Sequence, residues 1–202
     1  MIDPRAGRPV LVAMTGATGA IYGVRVLEML GEQGVEAHLI VSRWAETTIR
    51  TETDLKLEQV HELAARVYEE GDLSAPPSGS SFATAGMIVV PCSMRTLAAV
   101  ANGLSDNLVQ RAAEVHLKER RKLVLLVRES PLSVIHLENM LRLARAGAVV
   151  APPVPAFYAR LRSLDDMVDH TAGRALDQLG IEHERIRRWG ERRAALRPVD
   201  AD

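Results

Sequence analysis

The sequence predicts a three-layer α/β sandwich built on a mainly parallel sheet. Three observations carry that reading. Short, wholly apolar runs recur along the chain, stretches of helical period separate them, and hydroxylated or glycine-rich turns follow the runs. A strand with one face in water alternates apolar and polar residues, whereas wholly apolar strands are covered on both faces. The helical stretches between them supply that cover and the crossovers a parallel sheet needs.

The elements follow in order. Val10–Met14 is the first strand and ends in the turn Thr15-Gly16-Ala17-Thr18-Gly19. Residues 20–30 place Ile21, Val24, Leu27 and Leu30 at helical spacing, and Gly31 and Gly34 punctuate the end. Residues 36–41 form a second strand that stops at Ser42. Residues 44–68 read as polar and helix-like, and residues 71–81, rich in Ser, Pro and Gly, as a long loop. Strand-like runs return at 87–90, Leu123–Val127 and 148–151, and a final helix covers Leu164–Leu179. The result is a doubly wound sheet of Rossmann-like or flavodoxin-like kind, in one domain over residues 1–202. A helical tail from about residue 160 is expected to pack on a neighbouring subunit.

Composition narrows the function. A length of 202 residues suits one domain on the prior of roughly 100–200 residues each. Lys and Arg number 25 against 26 Asp and Glu, so a formal charge of −1 offers no bulk attraction to nucleic acid or anionic membrane. Aromatics at 3% are too few to stack on nucleic-acid bases. The longest apolar runs, about five residues, fall far below the ~18 of a membrane span, and residues 1–5 do not read as a secretory signal. A single cysteine, Cys92, excludes an intrachain disulfide and a CxxC metal site. The expectation is a soluble, cytoplasmic protein.

Open parallel sheets bind ligands beyond the carboxyl ends of their strands. Those ends carry the first turn, then Ser42-Arg43, Pro91-Cys92-Ser93-Met94-Arg95-Thr96, Arg128-Glu129-Ser130-Pro131, and the segment from Pro152 to Tyr158. Turns of this kind offer free N–H groups and a helix dipole to phosphate. Each alone could simply cap a helix; five at one edge point to a site. Dinucleotide folds need glycines at i, i+2 and i+5, and from Gly16 those positions are Thr18 and Ile21. A mononucleotide such as FMN fits better than NAD.

The same residues resemble, in order, the motifs of the flavin prenyltransferases, the UbiX/Pad1 family. The matching stretches are Thr15-Gly16-Ala17-Thr18-Gly19-Ala20-Ile21-Tyr22-Gly23, Glu52-Thr53-Asp54, Ser78-Gly79-Ser80, and residues 91–97, 111–121, 128–132, 136–141, 152–158 and 173–177. They run from about Val10 to Trp189. Thr18 stands where many relatives have serine, and Ser130 where threonine is common; neither departure removes a charge.

The resemblance implies a reaction. Reduced FMN, as substrate, is alkylated at N5 by dimethylallyl monophosphate and cyclised at C6, and inorganic phosphate leaves. The prenylated FMN serves a UbiD-type decarboxylase, and the family assembles as a homododecamer with sites where subunits meet. Carried over residue by residue, Gly16, Ala17, Thr18, Ser42, Ser93, Met94, Arg95, Thr96 and Arg128 hold FMN. Lys118, Arg128 and Arg174 surround the substrate phosphate, and Tyr158 gives it a hydroxyl. Glu129 and Glu52 exchange protons, so Glu52, Lys118 and Glu129 form the catalytic set.

No metal is expected. Asp165-Asp166-Met167-Val168-Asp169 spells the DDxxD of diphosphate-using prenyl enzymes, but no second acidic motif accompanies it, and acidic residues also favour a helix start. Cys92 reads as a small residue packed beside the flavin. Two alternatives stay open: an FMN-dependent cysteine decarboxylase-like enzyme, and a non-catalytic FMN-binding subunit of a decarboxylase.

Overall fold

The computed structural model describes residues 7–190. Its elements are β1 (Val10–Met14), α1 (Ala20–Glu32), β2 (Ala37–Val41), α2 (Arg43–Glu52), α3 (Leu57–Glu62), β3 (Arg66–Glu69), β4 (Gly86–Cys92), α4 (Met94–Ala101), α5 (Leu108–Lys118), β5 (Leu123–Val127), α6 (Val134–Arg145), β6 (Val149–Val150) and α7 (Leu164–Leu179). Single 3-10 turns stand at Pro76–Ser78 and Phe157–Ala159.

The six strands pair in parallel in the order β3-β2-β1-β4-β5-β6. Of the two expected topologies this is the Rossmann-like one. The chain winds outward from β1 to β3, returns to the middle, and winds outward again from β4 to β6. The loops after β1 and β4 therefore part in opposite directions and open a crevice between them. Every residue of β1, β2, β4 and β5 is buried, which is why those strands read as continuous apolar runs. One core layer joins the sheet to α1, α2, α3 and α7; the other joins it to α4, α5 and α6.

The structure corrects the reading of residues 44–68. They hold two short helices and then an edge strand, β3, paired with β2 from His38↔Arg66 to Val41↔Glu69. The four residues of β3 are largely exposed, so they lack the apolar signature of the interior strands. The described part of the tail makes these contacts within its own chain. Val168, Ala172, Ala175, Leu176 and Leu179 of α7 join the core layer of α1. Arg25 of α1 pairs with Asp165 and Asp169, and Arg185 Nε donates to Glu32 at 2.9 Å. Residues 160–190 thus dock on their own chain, and the remainder of the expected tail lies outside the described residues. No helix among those described is long and apolar enough to cross a membrane.

Candidate active site

Thr15 builds the crevice. It lies at the end of β1, 2% exposed, and its hydroxyl donates to the Pro91 carbonyl (2.8 Å) while accepting from the Ser93 N–H (2.8 Å). This stitches the β1 turn to the β4 turn. Gly16 follows at a point of close approach: a Cβ there would stand 2.3 Å from Cβ of Trp44. Ser42 caps α2 through the Ala45 N–H (3.2 Å), and Ser93 caps α4 through the Thr96 N–H (3.3 Å). Two helix N-termini therefore face a shared cavity of about 290 Å³, bounded by Gly16, Ser42, Trp44, Ser93, Arg95 and Thr96. One carboxylate, Glu70, borders it, and that charge is already engaged by the Arg43 N–H (3.1 Å) and the Asn107 amide (2.9 Å). Hydroxyls, open N–H groups and an arginine form a donor set suited to a phosphate monoester.

Arg128 leaves β5 beside this crevice, its N–H donating to the Cys92 carbonyl at 3.2 Å. Its guanidinium makes no hydrogen bond or ion pair among the described residues. It is near enough to Tyr22 to favour the ionised phenol, although burial prevails and the Tyr22 pKa is raised. Glu129 is exposed next to it and accepts from the Ser130 N–H at 3.0 Å. A second cavity of about 280 Å³ opens past β5 and β6, lined by Leu126, Ala151, Pro152, Val154, His170 and Arg174. Tyr158 stands over α7, where its hydroxyl shares a 3.3 Å hydrogen bond with His170 Nε2.

A family model described as Flavoprotein matches residues 3–176. A probable UbiX-like flavin prenyltransferase of Bacillus subtilis is 56% identical over 89% of this chain and 88% of its own. The mitochondrial flavin prenyltransferase PAD1 of Saccharomyces cerevisiae is 50% identical over 93% of this chain and 77% of its own. This chain belongs to the UbiX-like flavin prenyltransferases. Among solved structures, AnUbiX (PadA1), in complex with FMN and dimethylallyl pyrophosphate, superposes with a TM-score of 0.90 at 52% identity, over 91% of this chain and 98% of that one. The cysteine decarboxylase TvaF shares the fold alone, at 17% identity and a TM-score of 0.62.

On this UbiX-like chain the predicted flavin-binding residues after β1, β2, β4 and β5 all stand at the carboxyl edge. Two of the three predicted catalytic residues are placed in unexpected ways. Glu52 lies at the end of α2 with its carboxylate over the start of α1, accepting from the Thr18 hydroxyl and from the N–H groups of Gly19 (2.8 Å) and Ala20 (2.9 Å). It therefore fills a helix N-terminus that has no side-chain cap of its own. Lys118 ends α5 at the amino edge of the sheet, where its Nζ donates to Ser80 Oγ at 2.6 Å. One chain does not bring it to the crevice.

Cys92 is fully buried, and burial pushes its thiol up to about 12, so it offers no thiolate. The DDxxD run opens α7 with Ser163 as its cap, and its carboxylates are engaged: Asp166 by the Arg162 N–H (2.7 Å), Asp165 and Asp169 by Arg25. Sequence reasoning missed Thr15 as a site residue, together with Trp44, Glu70 and His170. Glu70 follows β3, and a strand read as helix hides the polar residues at its carboxyl end.

Proposed function

We propose that this chain joins the dimethylallyl group of dimethylallyl monophosphate to N5 and C6 of reduced FMN, releasing inorganic phosphate. The observation that carries the reading is Arg128, whose guanidinium has no hydrogen-bond or ion-pair partner among the described residues, with Glu129 next to it, beside a crevice where two hydroxyl-capped helices point their N-termini. Ser42, Ser93, Arg95 and Thr96 bind the flavin phosphate end, and Gly16 lets the chain approach closely. The allylic C–O bond breaks with its electron pair on the departing phosphate, which Arg128 and Arg174 neutralise and Tyr158 hydrogen-bonds. Glu129 exchanges the proton between phosphate and flavin. Glu52 takes part in the transfer that follows the second bond, leaving the α1 N-terminus to do so. The apolar walls of the second cavity, Leu126, Pro152 and Val154, exclude water from the cationic prenyl fragment.

Lys118 enters from a second copy of the chain. A self-association surface is present: α6 leaves Val134, Leu137 and Leu141, at i, i+3 and i+7, exposed with Ile135 alongside. A UbiX-like relative from Escherichia coli O157:H7, 52% identical with a TM-score of 0.88 over 91% of this chain and all of that one, is described as dodecameric and FMN-dependent. This chain forms a homo-oligomer of the same kind in the cytoplasm, and a UbiD-type decarboxylase receives its product. Mass spectrometry of the flavin after anaerobic incubation with reduced FMN tests the reading, with the monophosphate and the pyrophosphate in separate arms. A flavin heavier by one C5H8 unit in the monophosphate arm is expected. Unchanged FMN in both arms would refute the transfer, and product only with pyrophosphate would move the substrate.

A further inference from the structure

Two of the residues read as receiving the substrate phosphate, Arg174 and Tyr158, are held by the last described stretch of the chain. Arg174 donates through Nη1 to Asp177 Oδ2 at 2.7 Å. The same carboxylate takes both arms of Arg188, Nη1 to Oδ2 at 3.0 Å and Nη2 to Oδ1 at 2.9 Å. His183 Nε2 lies 3.3 Å from Oδ1 and 2.9 Å from the Gly173 carbonyl. Only a glycine at 173 admits that approach, since a Cβ there would sit 2.4 Å from His183 Cε1. Trp189 comes next and meets the Tyr158 ring edge-on, centroids 5.1 Å apart.

We infer that residues 183–189 act as a clasp that presets the substrate-binding pair: Arg188 and His183 fix Asp177, Asp177 aims Arg174, and Trp189 steadies Tyr158. Charge supports the arrangement. Asp177 is mostly buried, and burial works against its ionisation, but hydrogen bonds from Arg188 and Arg174 outweigh this and hold the carboxyl below its ordinary range. One carboxylate against two guanidinium groups leaves one positive charge over. Arg174 is half exposed on the wall of the second cavity, so that surplus faces a phosphate while the carboxylate keeps its Arg188 fork. Asp177 and Arg188 are positioning residues, acting through Arg174 rather than on substrate.

The inference rests on Arg174 and Tyr158 binding the substrate phosphate, and the experiment separates the two ideas. Steady-state prenylation of reduced FMN is measured for Arg188→Gln, Asp177→Asn and Arg188→Lys. The first two are expected to raise KM for dimethylallyl phosphate about tenfold, as when a charge-assisted hydrogen bond no longer orients a binding group. kcat and FMN affinity should change less than about twofold, and Arg188→Lys should recover part of the loss. A readout independent of activity is the fluorescence anisotropy of Trp189 in a Trp44→Phe background, which should fall when Arg188→Gln is added. Unchanged KM and unchanged anisotropy would overturn the clasp. A wild-type protein that prenylates nothing would refute the reading of Arg174, while the anisotropy would still decide the clasp.

Discussion

The two edges of the sheet use similar polar residues in opposite ways. At the amino edge, α5 grips the segment that leads into β4. Arg121, just past the end of α5, donates to the carbonyls of Ser80 (2.5 Å) and Phe82 (2.6 Å). His116 is buried between the Thr84 hydroxyl (2.8 Å) and the Ala112 carbonyl (2.7 Å). At the carboxyl edge the hydroxyls also cap helices, yet Arg95 and Arg128 have no side-chain partner among the described residues. Polar groups that stabilise a fold spend their hydrogen-bonding capacity on the chain, and groups that bind a ligand keep it open. Lys118 is the exception at the amino edge. Its side chain is 44% exposed and its closest partner is a hydroxyl, which a phosphate group displaces readily.

The largest effect should come from the open edge. Glu129→Gln keeps shape and hydrogen bonding but cannot exchange a proton. Single-turnover product formation at saturating FMN should fall by about 10²–10⁴-fold, with FMN affinity retained. A near-normal rate would remove Glu129 from the chemistry, and a loss of flavin affinity instead would make it an anchor for Arg128.

The closed edge should reveal itself in stability rather than turnover. The Ala112 carbonyl requires a proton on His116 Nδ1, so Nε2 accepts from Thr84 and the ring is neutral. Burial is the main cause that lowers its pKa from 6.5 to about 4, with Arg121 adding to it. Above pH 6.5 neither folded nor unfolded chain protonates this ring. Between 6.5 and 4 only the unfolded chain does, so its contribution to stability drains away as the pH falls, by about 3 kcal/mol at pH 4. Urea unfolding from pH 8 to 4 should therefore show a steeper acid decline for wild type than for His116→Gln. Equal slopes would contradict the assignment.

The smallest effect belongs to the acidic run of α7. Asp165→Asn removes one exposed pairing with Arg25, so stability should shift by no more than about 1 kcal/mol and turnover should persist in EDTA. Activity lost to EDTA and restored by magnesium would make the reaction metal-dependent.

Burial decides what the sequence shows. Val10–Met14, Leu123–Val127 and Leu164–Leu179 are legible to the residue because both faces of the strands, and one whole stripe of the helix, lie in the core. Edge strand β3 was not, since Arg66 and Glu69 face solvent and four residues give too little alternation to recognise. Ser42, Ser93 and Arg128 could be placed from sequence because they follow strands that could be placed. The contacts of Glu52 with Gly19 and Ala20, and of Asp177 with Arg188, join residues that only the folded chain brings together, and nothing in their spacing announces them.

In the proposed reaction, chemistry occurs at the carboxyl edge of one copy with Lys118 delivered from another. Co-expression of Arg128→Ala and Lys118→Met chains under different tags, with purification of the mixed oligomers, tests it directly. Each variant alone should make little prenylated FMN. In a random mixture about a quarter of the sites should pair an intact Arg128 of one copy with an intact Lys118 of another, and product should return in that proportion. Mixed oligomers as inactive as the separate variants would contradict a site shared between copies.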